Sequence, residues 1–331
     1  MNYWYIGSFP PPYGGVTKKN VMVYESLKSS INIKRIRKKS KIAMIRQLFH
    51  LLNRQTGFII GVGSMKNLEI IIMVMSKLNP GALEKTIVMV PGGTFDKYVS
   101  NASIRYKNCL KKVKVLLVET KGMKENLNEI GLNNVDVFPN CRNNTPNFIP
   151  SMNNKSMKFI FFSMISNHKG IDLFLEAAQY FPEFQFDVYG ELNFPDKEKE
   201  EFLKKCKKYN NVNYFGCFKG ADEEIYNLLN KYDALIFPSR WKSEGVPGVL
   251  VESKIAALPA IVSSINYNTE VVIDEKEGIV LKENNIEELV NAIKRIDEDR
   301  ELLYKLAVGA KESAERYQYE NYRKTLLDYL E

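Results

Sequence analysis

The sequence predicts two doubly wound α/β domains around a cleft, and three observations lead there. The chain has 331 residues, 45% of them apolar, which supplies about two domains at ~150 residues each with enough material for two buried cores. Short apolar runs of strand length alternate with helix-length segments along most of the chain, the pattern of parallel sheets covered on both faces. Residues 139–157 hold three prolines and six asparagines among nineteen positions, so a linker divides the two series.

The first series opens with a strand at Tyr3–Ile6, a turn-rich loop from Gly7 to Gly15 containing Pro10, Pro11 and Pro12, and a helix from about Val16 to Ser29. Strand-length apolar runs follow at Gly57–Val62, Thr86–Val90, Val113–Val118 and Val135–Phe138. The second series places strands near Lys158–Ser163, Phe184–Tyr189, Val212–Phe215, Ala234–Phe237, Ala260–Val262 and Gly278–Leu281. Helices between them include Ile171–Tyr180, Asp222–Leu229, Gly248–Ala257 and Ile286–Asp297. The domains are therefore expected at 1–145 and 150–313. A last helical stretch, roughly 314–331, is a candidate to pack back on the first.

Composition excludes several classes. The longest apolar run, around Leu68 to Met75, is broken by Glu69 and is far short of the ~20 residues of a membrane span. The start lacks a basic n-region and a long apolar core, so no secretory signal is read and a cytoplasmic chain is expected. Cys109, Cys141, Cys206 and Cys217 stand far apart, which fits reduced core fillers better than zinc ligands or disulfides. His50 and His168 are the two histidines, and no pairing for a hydrolytic nucleophile accompanies them. The acidic run Asp297–Asp299 falls at a helix C-terminus and reads as a solvated face, so no metal is expected.

Charge is unevenly distributed. Residues 1–150 carry 23 Lys and Arg against 8 Asp and Glu, a net +15, whereas residues 151–331 carry 24 against 31, a net −7. Lys34, Arg35, Arg37, Lys38 and Lys39 precede an apolar segment at Met44–Leu52. Such a run can lie on an anionic membrane, each cation adding about 1 kcal/mol of attraction. A solvated strand end followed by a packed helix is the other reading. No nucleic-acid-binding module surrounds the patch, so nucleic acid is not expected as a partner.

The most informative stretch runs from Ala234 to Lys254. A buried strand ends at Pro238, a polar loop carries Glu244 and Gly245, and a helix begins after Pro247, a residue suited to a first turn. The N–H groups of Gly248, Val249 and Leu250 are expected to lack intrahelical acceptors and to sit at the positive end of the helix dipole, which suits a phosphate. Glu244 and Glu252, in Glu-x7-Glu spacing, can accept hydrogen bonds from sugar hydroxyls on either side of a bound diphosphate.

The second half resembles glycosyltransferase family 4, nucleotide-sugar-dependent transferases of the two-domain GT-B fold. The matching pieces are Pro238-Ser239, Glu244 through Glu252, Leu258 through Val262, Lys169 through Asp172, and Val212 through Gly216. In the first half, Pro11 through Val16 resembles the family's first glycine loop, and Val137 through Asn140 the segment ahead of its linker. The resemblance implies that Glu252 binds the nucleotide ribose and that Glu244 touches the donor sugar. It also implies that Lys169 neutralises the diphosphate; with Met164 in place of the family's arginine, Arg240 or Lys242 is the second cation this sequence offers. Gly14 and Gly15 would present backbone N–H groups near the reacting centre, and Gly245, Val246 and Pro247 would complete the donor-binding loop. A retaining transfer of a hexose from a nucleotide sugar to a lipid-linked or saccharide acceptor, as in surface polysaccharide assembly, is what the resemblance implies. The basic first domain is what points to the inner face of a membrane. No cofactor or metal is expected, because helix N-termini and lysine can do a metal's work.

Two positions depart from the family pattern. Met164 stands where relatives carry an arginine five residues before the lysine, and Pro91 stands where many have a histidine before the glycines. They motivate a rival: a catalytically silent binder of nucleotide sugars or anionic lipid. A nucleotide-sugar epimerase of the same fold is the other rival, though two histidines give it little acid–base equipment.

Overall fold

The computed structural model describes residues 2–10, 14–36, 56–90, 92–143, 146–150 and 155–331. They form two units: Met1–Asn143 with Ser243–Val246 and Tyr317–Glu331, and Asn144–Lys242 with Pro247–Arg316.

The first unit is built on a parallel sheet of β1 (Asn2–Gly7), β2 (Ile33–Arg35), β3 (Thr56–Gly61), β4 (Thr86–Met89), β5 (Val115–Val118) and β6 (Val135–Val137). Its order is β2-β1-β3-β4-β5-β6. Between the strands run α1 (Gly15–Lys28), α2 (Met65–Leu78), α3 (Pro80–Leu83), α4 (Phe95–Ser100), α5 (Ile104–Leu110) and α6 (Lys121–Glu129). Every residue of β3, β4 and β5 is buried, as expected for strands with both faces covered. Helix starts are set by side chains: Ser64 Oγ accepts the Asn67 N–H and Thr120 Oγ1 that of Met123, each at 3.3 Å.

The second unit alternates strand and helix up to a closing helix pair: β7 (Lys158–Phe162), α7 (Ile171–Tyr180), β8 (Gln185–Tyr189), α8 (Asp196–Lys208), β9 (Val212–Tyr214), α9 (Asp222–Leu229), β10 (Ala234–Phe237), α10 (Gly248–Ile255), β11 (Ala260–Ser263), α11 (Asn268–Val271), β12 (Gly278–Leu281), α12 (Ile286–Glu298) and α13 (Arg300–Ser313). The sheet order is β12-β11-β10-β7-β8-β9, all parallel. Its core interlocks aromatic rings, with Phe174 of α7 5.6 Å from Phe161 and 5.3 Å from Phe186.

Four differences from the sequence reading have physical causes. β2 escapes a pattern search because only Ile33 of its three residues is buried and Lys34 faces solvent. α10 ends at Ile255 because Ala257 adopts φ 54° and the Leu258 N–H turns back to Ser253 O at 2.8 Å. The stretch after α12 is a separate helix, started by Asp299 accepting the Leu302 N–H at 2.8 Å; the acidic run thus serves as a cap. The last helical stretch is a 3-10 turn at Ala314–Tyr317 followed by α14 (Glu320–Asp328). Between them the backbone pairs with Arg142, whose N–H donates to Tyr317 O at 2.8 Å and whose carbonyl accepts from Tyr319 at 3.0 Å.

The topology points to one place in each sheet. The strand order of the second unit reverses between β7 and β10, so the loops leaving their C-terminal ends diverge and leave a crevice. In the first unit the reversal lies between β1 and β3. There Asn20 of α1 ties the two strand ends together, its Nδ2 donating to Ser8 O at 2.7 Å and Gly61 O at 2.6 Å.

Candidate functional site

In the second unit the loop after β7 runs Ser163–Lys169, ends in a 3-10 turn at Asn167–Lys169, and enters α7 through Gly170. The loop after β10 leads into α10. The two loops are strapped together: the Arg240 N–H donates to His168 O at 2.7 Å and Arg240 Nη1 to Asn167 O at 3.1 Å. Gly170 has φ +78°, and a Cβ there would lie 2.2 Å from Pro238 O, so only glycine allows this approach.

Lys169 is buried at 8% exposure. Its Nζ lies 5.7 Å from the Phe237 ring centre and 5.8 Å from that of Trp241, cation–π contacts that favour an ammonium at this place. Trp241 in turn meets His168 edge-on at 5.5 Å. Arg240 is engaged by Asp172 as well as by the Asn167 carbonyl. Met164 is 40% exposed.

α10 follows Pro247 and is buried on all sides from Val249 to Ile255. The sequence reading offers three free N–H groups at its start, and the structure corrects this. The Leu250 N–H donates to Pro247 O at 3.1 Å, a tightened first turn that leaves Gly248 and Val249 as the N-terminal donors. Glu252 is 7% exposed, one turn into the same helix. Its neighbour Lys254, 2% exposed, donates to Glu277 at 2.7 Å and to Ser313 Oγ at 2.8 Å, and Arg316 reaches Glu277 at 2.6 Å.

Glu244 falls in the other unit, within Ser243–Val246. This short loop is met by groups that sequence reasoning missed. Glu119 accepts the Val246 N–H at 2.9 Å, and Asn140 Nδ2 donates to Val246 O at 3.0 Å. Gly15 lies beside Asn140, since a Cβ on it would be 3.6 Å from Asn140 Nδ2. The Gly14 N–H is already taken, donating to Thr17 Oγ1 at 2.9 Å, so Gly15 is the first of the pair with its N–H toward the open end of α1. Glu119 carries a signal that was available: an ionisable residue set between the end of β5 and the cap of α6. Asn140 lies within a motif read only as the approach to a linker.

Of the basic run, Lys34 is exposed, while Arg35 packs its guanidinium over Phe9 at 5.2 Å and Tyr24 at 5.9 Å. Arg37, Lys38, Lys39, His50 and Pro91 lie outside the described residues.

The family model described as glycosyl transferases group 1 matches residues 145–313, just over half of the chain. The chain belongs to the group 1 glycosyl transferases. Within this group 1 region fall Lys169, Arg240 and the whole stretch from Glu244 to Glu252. An Escherichia coli UDP-Gal:alpha-D-GlcNAc-diphosphoundecaprenol alpha-1,3-galactosyltransferase is 36% identical over 83 residues, 25% of this chain and 21% of its own. An uncharacterised glycosyltransferase of Methanocaldococcus jannaschii is 26% identical over 162 residues, 49% of this chain and 44% of its own. The chain thus matches less than half the length of either curated relative. Among solved structures, Anabaena HepE in complex with UDP-glucose has a TM-score of 0.75 at 13% identity, over 100% of this chain and 99% of its own. That likeness is one of fold: two parallel six-stranded sheets flanked by helices.

Proposed function

We propose that the chain is a retaining glycosyltransferase of family 4 that moves a hexose from a nucleotide-diphosphate sugar to a lipid-linked or saccharide acceptor, in surface polysaccharide assembly. The observation that carries this reading is the second unit's switch point, where a buried, cation–π-held Lys169 and the start of α10 with Glu252 occupy neighbouring loops of one sheet. The uridine nucleotides named with the Escherichia coli and Anabaena proteins make a UDP-hexose the first donor to test.

In this reading the diphosphate is held by Lys169 and the N–H groups of Gly248 and Val249, the ribose by Glu252, and the hexose by Glu244. Arg240, Gly245, Val246 and Pro247 shape the donor loop. The acceptor hydroxyl attacks the anomeric carbon on the face the diphosphate leaves, and its proton passes to the departing phosphate oxygen. The protein's contribution is fixed positive potential where negative charge grows. Lysine and helix dipole supply that potential, so we expect turnover to survive chelation of divalent metal. The basic first-unit surface would bring the enzyme to the inner face of an anionic membrane, where a lipid-linked acceptor is presented.

The test is transfer of labelled galactose or glucose from the UDP-sugar to polyprenyl-diphosphate-linked GlcNAc, with the product's anomeric configuration read by NMR. Glu252→Ala should weaken UDP binding and Glu244→Ala should lower turnover more than affinity, each by about tenfold or more, the worth of a buried charge-assisted hydrogen bond. Donor binding with no transfer or hydrolysis would favour the silent binder. Donor isomerisation without acceptor would favour the epimerase.

A further inference from the structure

We propose that Glu119 is a positioning residue which, with Asn140, clamps the Ser243–Val246 loop and thereby sets the place of Glu244. The inference deepens the proposed function, resting on its assignment of Glu244 to the donor sugar.

Both polar backbone groups of Val246 are taken by side chains from the ends of two adjacent strands. Glu119, immediately after β5, accepts the N–H at 2.9 Å, and Asn140, just beyond β6, donates to the carbonyl at 3.0 Å. The other end of the loop is fixed by backbone: the Gly93 N–H donates to Ser243 O at 3.1 Å. Between these anchors there is no slack. A Cβ on Gly93 would lie 1.6 Å from Glu244 O, and one on Gly245 would lie 2.3 Å from a Glu119 carboxylate oxygen. Two glycines in contact with this loop are therefore required by the approach.

The chemistry of Glu119 fits holding rather than packing. One carboxylate oxygen pairs with Lys19 Nζ at 3.2 Å, and Lys19 also donates to Phe138 O at 2.8 Å and lies 5.0 Å from the Phe138 ring centre. The side chains of Lys19 and Glu119 are 6% and 13% exposed. A pair so enclosed is a weak source of stability because desolvation offsets the attraction. It does, however, fix the direction of the carboxylate, and a charge-assisted hydrogen bond to a backbone N–H is about twice as strong as a neutral one. The other oxygen spends that strength on Val246, two residues from Glu244.

Amide hydrogen exchange over residues 243–248, together with kcat, KM and the UDP dissociation constant, tests this in wild type, Glu119→Ala and Glu119→Gln. Glu119→Ala should speed exchange at Val246 and lower kcat with UDP-hexose, each by about tenfold, with a smaller effect on UDP affinity, because Gly248 and Val249 are held by α10 and Glu119 bonds to Val246 and Lys19. Glu119→Gln retains an acceptor oxygen and should recover much of both. Should the alanine variant fail to fold, Asn140→Ala carries the same expectations. Unchanged exchange overturns the clamp; faster exchange with wild-type kcat overturns its role in placing Glu244. Equal loss of kcat and UDP affinity makes Glu119 a structural residue only. A wild type that turns over no donor sinks the proposed activity instead, and the clamp is then judged by exchange alone.

Discussion

Nη1 of Arg240 lies 2.7 and 2.9 Å from the two carboxylate oxygens of Asp172. The cation that the sequence offers as a second diphosphate ligand is thus already facing an anion. Lys169 is buried against the rings of Phe237 and Trp241 and is the principal diphosphate ligand of the proposed donor site. Lys169→Ala should weaken UDP binding by about tenfold or more, and Arg240→Ala by less than about threefold, the scale of an exposed pair. Isothermal titration separates the two. Equal losses would put Arg240 on the phosphates, and Met164→Arg, on an exposed side chain, should then add nothing.

Gly170→Ala should loosen the second unit's switch point without touching any proposed ligand. The left-handed backbone alone costs about 1–2 kcal/mol, and the approach to Pro238 O must open as well. A drop in thermal midpoint together with weaker UDP binding is expected; a midpoint equal to wild type would show that the two loops can part freely.

Stability should rise in mildly alkaline solution. Burial pushes the Lys254 ammonium down from 10.5 to about 8 even though Glu277 faces it, and Arg316 adds repulsion. A lysine with a depressed folded-state pKa binds its proton more weakly folded than unfolded, so its penalty is fully present below about 8 and fades toward 10.5. Between about pH 7.5 and about 9.5 the gain is on the order of 1 kcal/mol. Urea unfolding of wild type and Lys254→Met measures it: the rise should be present in the first and missing in the second. At higher pH the buried tyrosines Tyr5 and Tyr319, whose pKa values burial raises, act in the opposite direction.

Membrane attraction can be tested without harming the fold if one residue is spared. Arg35 packs on Phe9 and Tyr24, so its loss would remove contacts as well as charge. Lys34, Arg37, Lys38 and Lys39 changed together to Gln should release the chain from acidic vesicles in co-sedimentation. Rising salt should do the same, since attraction reaches only ~8 Å under physiological conditions. Equal recovery with neutral and acidic vesicles would reduce the run to a solvated surface.

Strands with both faces covered were legible because they are continuous apolar runs between turn residues; Ala234–Phe237 and Gly278–Leu281 stand where the sequence puts them. β2 was not, because an edge strand with one buried side chain has no pattern. The glycine-and-glutamate stretch before α10 was legible as chemistry, yet its partners were not. That Glu119 and Asn140 meet Val246 depends on contacts more than a hundred residues apart, and that Leu250 closes a tight first turn depends on backbone geometry no side chain announces.

The Tyr3 hydroxyl donates to Leu330 O at 2.7 Å, across 327 positions, and Arg142 pairs its backbone with Tyr317 and Tyr319. A chain cut back to residue 316 keeps the whole second unit, contiguous but for a four-residue loop, while the first unit loses its final strip. Such a truncated chain would carry a complete second unit attached to an unsealed sheet whose Tyr3 and Phe138 lack their covering helix. The exposed apolar face is where a chaperone would find its substrate.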